Sequence, residues 1–219
     1  MNSPILQLLV LAGIAIFLIL RLKSVLGTRD GFEGPARSAP TPETSRRREF
    51  EVIEGGPDHD IVDHVPEDSE AAGALADMKR IEPDFSVTTF LQGARGAYEM
   101  IVEAFAGGDL KSIRRYLGQS VYDAFKGAVV ERETNGWTHE LKFVGIDSAK
   151  VVSSGVDNAE LSAIVDFSSN QVRVTRDKDG NVVDGDPARI DLVKDRWTFS
   201  RALSSNDPNW ILVATGGAG

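Results

Sequence analysis

The apolar positions of this chain change period three times. Ile5 to Leu20 reads ILQLLVLAGIAIFLIL, apolar on every face, with Gln7 as its only polar residue. With Leu22 and the flanks the run reaches about 18 residues, roughly 27 Å of helix, enough to cross a bilayer core. Residues 27–69 then show no apolar period lasting two turns, and Gly, Pro, Ser, Thr and charge dominate. Such a stretch buries too little apolar surface to offset its ordering entropy, so it reads as a disordered tether. From about residue 70 the period becomes helical. EAAGALADMKRI predicts a short helix that stops before Pro83. In the next segment Phe90, Ala94, Ala97/Tyr98, Ile101 and Phe105 recur at three- and four-residue spacing, the mark of an amphipathic helix. Asp84 or Ser86 can cap its start, and Gly107-Gly108 ends it. Asp109 opens a shorter helix through Leu117. Ser120 to Asp123 fits a capping box for a helix carrying Val121, Tyr122, Phe125 and Val129, which ends at Asn135-Gly136.

Beyond Gly136 the period shifts toward two. His139, Leu141 and Phe143 alternate with charged residues, and Leu161, Ala163, Val165 and Phe167 alternate more cleanly. RDKDGNVV reads as a turn between two strands, with Gly180 at its tip. Ile190 to Leu203 reads as a long strand, SSNDPN as a turn and Trp210 to Thr215 as the last strand. Three helices followed by strands predict an α+β fold: a curved antiparallel sheet with helices on one face, leaving a cone-like cavity between them. The expected division is an anchor over 1–26, a Pro/acidic linker over 27–69 and a folded domain over 70–219.

Charge orients the anchor. MNSP before the apolar run holds no Lys or Arg, whereas Arg21 and Lys23 follow it, and no Ala-x-Ala-like cleavage site appears. A cleaved signal peptide wants the opposite arrangement. By the positive-inside rule the segment is an uncleaved single-pass anchor with the domain facing the cytoplasm. Residues 21–48 carry seven Lys/Arg against three acids, and residues 49–84 carry two against twelve. Arg46, Arg47 and Arg48 either touch anionic headgroups or form a solvated cluster. The domain beyond is nearly neutral, which argues against nucleic acid as a partner, since that binding displaces counterions from a basic surface.

Candidate chemistry is sparse. The chain has no cysteine, and its three histidines are His59, His64 and His139. A thiolate site is excluded, and His59 and His64 sit in an acidic tether that offers no fixed geometry for a metal. No cofactor is expected. Asp177, Asp179 and Asn181 imitate the start of an EF-hand, but Val182 and Ala188 stand where that loop needs Gly and Glu, so a turn is expected there. His139 is in phase with Leu141 and Phe143 and could point inward, whereas Asp166 is out of phase with Val165 and Phe167. No acid–base pair emerges, and no catalytic residue is assigned.

The stretches FLQGARGAYEMIVEAFAGGDL, VYDAFKGAVVERETNG, TRDKDGNVVDGDP and RWTFSRALSSNDPNWILVAT together resemble the Tim-forty-four-like domain family. That family comprises a subunit of the mitochondrial inner-membrane import translocase and its bacterial relatives. The resemblance covers about residues 85–216, and the WTF-R-L-S-DPNW-L-T pattern is its most specific part. It implies a cone-shaped α+β domain like nuclear transport factor two, with a large apolar pocket. It implies an adaptor or scaffold at the inner membrane, with lipid, unfolded polypeptide, chaperone or translocase as partners, and lipid contact near Glu70–Phe105. The chain departs from the mitochondrial pattern in having an anchor and a short acidic tether in place of a long chaperone-binding region. The fold class also hosts isomerases and dehydratases, so a pocket enzyme of the ketosteroid-isomerase or dehydratase type is the alternative.

Within that frame the expected pocket residues are Phe90, Tyr98, Ile101, Phe105, Phe143, Phe167 and Trp197. The signature hairpin is expected to use Trp197, Phe199, Arg201, Asp207, Pro208 and Trp210. Trp197, Phe199 and Arg201 fall in phase, and Asp207-Pro208-Asn209 makes the turn. Arg201 is expected to stack on an indole or pair with an acid such as Glu99 or Glu103.

Overall fold

The structure is a computed structural model that describes residues 58–203, 205 and 207–218. The expected anchor at Ile5–Leu20, and the tether up to residue 57, lie outside the described residues. Among the described residues no helix is long and apolar enough to cross a membrane. The helices are α1 (His59–Val62), α2 (Glu70–Ile81), α3 (Val87–Gly107), α4 (Leu110–Ile113), which runs into a 3-10 turn at Arg114–Tyr116, and α5 (Gln119–Thr134). The strands are β1 (Thr138–Asp157), β2 (Glu160–Arg176), β3 (Val182–Gly185), β4 (Asp191–Ala202) and β5 (Ile211–Gly217). They form one antiparallel sheet in the order β1-β2-β4-β5, with β3 pairing the far end of β2. The α+β class and the helices packed on one sheet face agree with the sequence pattern.

The sheet's inner face follows the period-two rule. Leu161, Ala163, Val165 and Phe167 of β2 are buried, as are Trp197 and Phe199 of β4. Asp166 points outward and takes a bidentate contact from Arg196 at 2.6 and 2.7 Å. Helix α3 lays Phe90, Ala94, Tyr98 and Ile101 onto that inner face. Ser86 caps its start by accepting from the Thr89 N–H, and Gly108 ends it at a φ of 77°.

Two local expectations are corrected, and one strand runs further than its pattern showed. The linker expected to reach residue 69 ends by Asp58, because Ile61 and Val65 are buried in the core. Asp60 fastens that segment: its carboxylate accepts from Val87 N at 2.7 Å, Thr88 N at 2.9 Å and Ser86 Oγ at 3.1 Å. Two apolar residues four apart among acids show no period, so only the surface they meet reveals their burial. The capping box at Ser120 does not form. Gly118 is the N-cap of α5, and its N–H donates to Leu212 O at 2.8 Å. A Cβ there would stand 3.3 Å from that same oxygen, so the approach of β5 sets where the helix begins. Finally, β1 runs on to Asp157 and turns through Asn158 and Ala159, both at positive φ, into β2. Register shifts at Phe143/Gly145, Ile146/Ser148 and Val151/Ser153 disturb the alternation of this edge strand and hide it from a period-two reading.

Candidate functional site

Five of the seven expected pocket side chains, Tyr98, Ile101, Phe143, Phe167 and Trp197, belong to a packed core. Tyr98 stacks on Phe167 with ring centroids 4.4 Å apart and lies 4.7 Å from Trp197. Phe143 approaches Tyr98 at 6.1 Å, and Ile101 is buried beside them. Phe105 lies apart from this group, against Phe125 of α5 at 4.3 Å and under the Arg132 guanidinium. Phe167 and Trp197 face inward from the sheet and Tyr98 meets them from the helix, so large aromatics from both layers fill the space between. Of the seven, only Phe90 lines the principal cleft.

That cleft lies between the first half of α3, the loop after α2 and the β4–β5 hairpin. Its volume is about 680 Å³. Gly93, Ala94, Gly96, Ala97 and Met100 of α3 form its floor, and Phe85, Phe90, Tyr116, Phe199 and Trp210 wall it. Four of these rings form a contiguous edge, with Phe90 at 4.7 Å from Trp210 and 6.0 Å from Phe199, and Phe85 at 6.0 Å from Trp210. The two hairpin indoles therefore do different jobs: Trp197 is core, and Trp210 is cleft wall. Phe199, Arg201, Pro208 and Trp210 of the expected hairpin set line the cleft. Asp207 shapes it from outside: its carboxylate accepts from Asn209 N at 2.9 Å and from Asn209 Nδ2 at 2.6 Å.

The charged groups at the cleft are Glu82, Asp84 and Arg201. Arg201 lies over the Trp210 ring at 5.6 Å and pairs with Glu82, the C-cap of α2, not with Glu99 or Glu103. Glu82 and Asp84 leave no periodic trace in sequence, so a partner 119 residues away could not be assigned there. Gly93 and Gly96 were legible only as residues of a helix. Deeper in, the Tyr98 hydroxyl donates to Asp195 Oδ2 at 2.6 Å and pairs with Ser169 Oγ at 2.9 Å, while Gln171 Nε2 donates to both hydroxyls at 3.2 and 2.8 Å. Burial first, then the Asp195 contact, pushes the phenol well above its ordinary range.

His139 stands away from the cleft. Its Nδ1 meets Thr175 Oγ1 at 2.9 Å on the β1–β2 pair. Burial, then the charges of Arg132 and Arg173, holds its imidazole below the usual value. Asp177 accepts from the N–H groups of Asp179 and Asn181 at 2.9 Å, which makes the β2–β3 connection the turn its residues suggested.

A curved antiparallel sheet with helices on its inner face, and a cleft closed by the last hairpin, defines a two-layer α+β domain. The Tim44-like domain family matches residues 71–217, and the chain belongs to that family. Mitochondrial import inner membrane translocase subunit TIM44-1 of Arabidopsis thaliana is 18% identical over 142 residues, 65% of this chain and 30% of that protein. Subunit TIM44 of Homo sapiens is 21% identical over 141 residues, 64% of this chain and 31% of that protein. The matched segment thus spans under a third of these relatives' length. Among solved structures, the intermembrane space region of chloroplast protein ARC6 is a loose likeness, with a TM-score of 0.41 and 12% identity over 58% of this chain and 95% of that one.

Proposed function

We propose that the chain is a membrane-tethered adaptor. In this reading Ile5–Leu20 is a single-pass anchor, the residues up to 57 are a flexible linker, and the domain faces the cytoplasmic side of an inner membrane. There it holds a protein partner of the translocase or chaperone kind, with membrane lipid nearby. The cone-shaped architecture of nuclear transport factor two belongs to the same reading. The observation that carries it is the cleft: an aromatic-walled surface whose charged pair, Glu82 and Arg201, is tied together. Such a surface grips a partner, and it sets no acid–base pair against a substrate, since Glu82 and Arg201 are bound to each other. Family membership, and relatives named as subunits of an inner-membrane import translocase, support the same direction. The pocket-enzyme alternative draws no support from the cleft, whose described lining residues include no histidine.

A tether works by raising local concentration near the membrane, with flexible reach growing as about the square root of linker length. Deleting Ile5–Leu20 is therefore expected to abolish cellular function at normal protein abundance. An unrelated anchor of the same orientation is expected to restore it, and His139→Gln to leave it nearly unchanged. Full function of the anchorless protein would remove the tether from the account. Loss of function in a folded His139→Gln protein would favour the enzyme.

A further inference from the structure

We infer that the cleft takes an α-helical segment of a protein partner, with an apolar face and a basic residue, and that Gly93 and Gly96 admit its backbone. This rests on the adaptor reading above and names the occupant. The floor runs along one face of α3 through Thr89, Gly93, Gly96, Ala97 and Met100. That is about 16 Å at about 1.5 Å per residue, three turns of a partner helix. Glycine inside a helix costs about 1 kcal/mol relative to alanine. Neither glycine has a positive φ, and a Cβ added at either meets nothing within 4 Å. The fold itself has no use for them. Gly73, Gly107 and Gly127 are equally open, but Gly107 belongs to the helix stop and none of the three lines the cleft. At 93 and 96 the missing side chains keep a floor low enough for another backbone to approach closely.

Charge and hydrogen bonding select the occupant. The charged lining residues are Glu82, Asp84 and Arg201. Arg201 is held by Glu82, whereas Asp84 is exposed and has no ion-pair partner among the described residues. Beyond the rim, Arg115 lies against Tyr116 and near Asp207, and their charges offset. The lining therefore carries a net negative charge, which repels a carboxylate or phosphate and welcomes Lys or Arg. An extended peptide draws its affinity from pairing with a free strand edge. The α3 floor offers none, because its backbone groups already bond along the helix. A helix brings its own backbone satisfied and needs only close packing, at the usual interaxial distance of about 8–10 Å.

The test uses the full chain held in phosphatidylcholine nanodiscs, with empty nanodiscs as control. The probe is a labelled peptide of about 18 residues built from Leu, Ala and Lys, long enough to form a helix. Its counterparts carry Glu for Lys, or a central Pro. The basic helix is expected to bind saturably, and both counterparts about tenfold more weakly. Gly93→Leu or Gly96→Leu is expected to weaken it about tenfold without lowering the unfolding midpoint, since leucine favours helix. Gly93→Ala and Gly96→Ala serve as milder fillers should a leucine variant misfold, and are expected to weaken binding less. Asp84→Asn is expected to cost about threefold at low salt, within the range of an exposed ion pair. Equal binding of the acidic and basic helices, or unchanged affinity in the glycine variants, overturns the inference. So does displacement of the peptide by dodecanoate at the cleft, which would mark an acyl ligand instead. A photo-crosslinker at Ala97 in native membranes separates the two readings. Crosslinks to protein with failed peptide binding sink the helix alone, and no protein crosslink sinks the adaptor as well.

Discussion

At the scale of single residues, Tyr98, Ser169 and Gln171 form a buried polar cluster. Tyr98 is fully buried, and its ring packs between Phe167 and Trp197. Its hydroxyl holds together Ser169, Gln171 and Asp195 from β2 and β4. A buried polar group that loses its partner costs about 1–3 kcal/mol, more than the net worth of the bond. Tyr98→Phe keeps the ring and removes only the hydroxyl. It is expected to lower the unfolding free energy by about 1–3 kcal/mol in denaturant titration. An unchanged midpoint would mean that the three remaining groups satisfy one another without it.

At the scale of elements, backbone contacts decide where segments start and stop. β3 shows the constraint most sharply. It is four exposed residues held only by the end of β2, and its register places Gly185 opposite Val174. Gly185 has a φ of 82°, and a Cβ there would fall 2.0 Å from Arg173 O. No side chain fits that approach, so Gly185→Ala must detach β3 or shift it. A forced left-handed backbone with a clash costs about 1–3 kcal/mol. Hydrogen exchange of the amides in the β2–β3 pairing is expected to speed up in Gly185→Ala, while the α3 amides keep their protection relative to the new global stability. Unchanged exchange in β3 would contradict the pairing.

At the scale of the whole molecule, the ionisable groups define a stability window in pH. Burial pushes Asp60 up, but hydrogen bonds from Lys79, Thr88 and Val87 outweigh it and hold the carboxyl well below the usual range. Asp166 is lowered chiefly by the hydrogen bond from Arg196. A depressed carboxylate contributes stability above its unfolded pKa of about 4, and that contribution is lost as pH falls through the folded value. His139, lowered by burial, loses its contribution earlier, as pH falls below about 6.5. Tyr98, raised by burial, acts in the other direction: its contribution holds below about pH 10 and is lost as pH rises through the folded value. Stability is thus expected to decline on both sides of neutrality. Asp60→Asn is expected to be destabilising at neutral pH, with its difference from the parent protein shrinking below about pH 4. A difference constant across that range would remove Asp60 from the acid limb.

Periodicity, with cap and breaker residues at the helix ends, determined the α+β class, the extents of α2 and α3, the inner face of β2 and the alternation of Trp197, Phe199 and Arg201. These are local consequences of burying one face of a helix or strand, and the sequence carries them within a few residues. The family was legible too, because the hairpin motif is contiguous. Tertiary structure alone decided the rest. It joined Asp60 to the start of α3, Glu82 to Arg201 and Gly118 to Leu212 across long separations. It also decided that Tyr98, Phe167 and Trp197 fill the space between helix and sheet while the cleft opens beside Gly93 and Trp210. The period of a pattern states which side a residue faces. Whether that side is filled or hollow depends on the volumes arriving from the other layer, and no single segment records them.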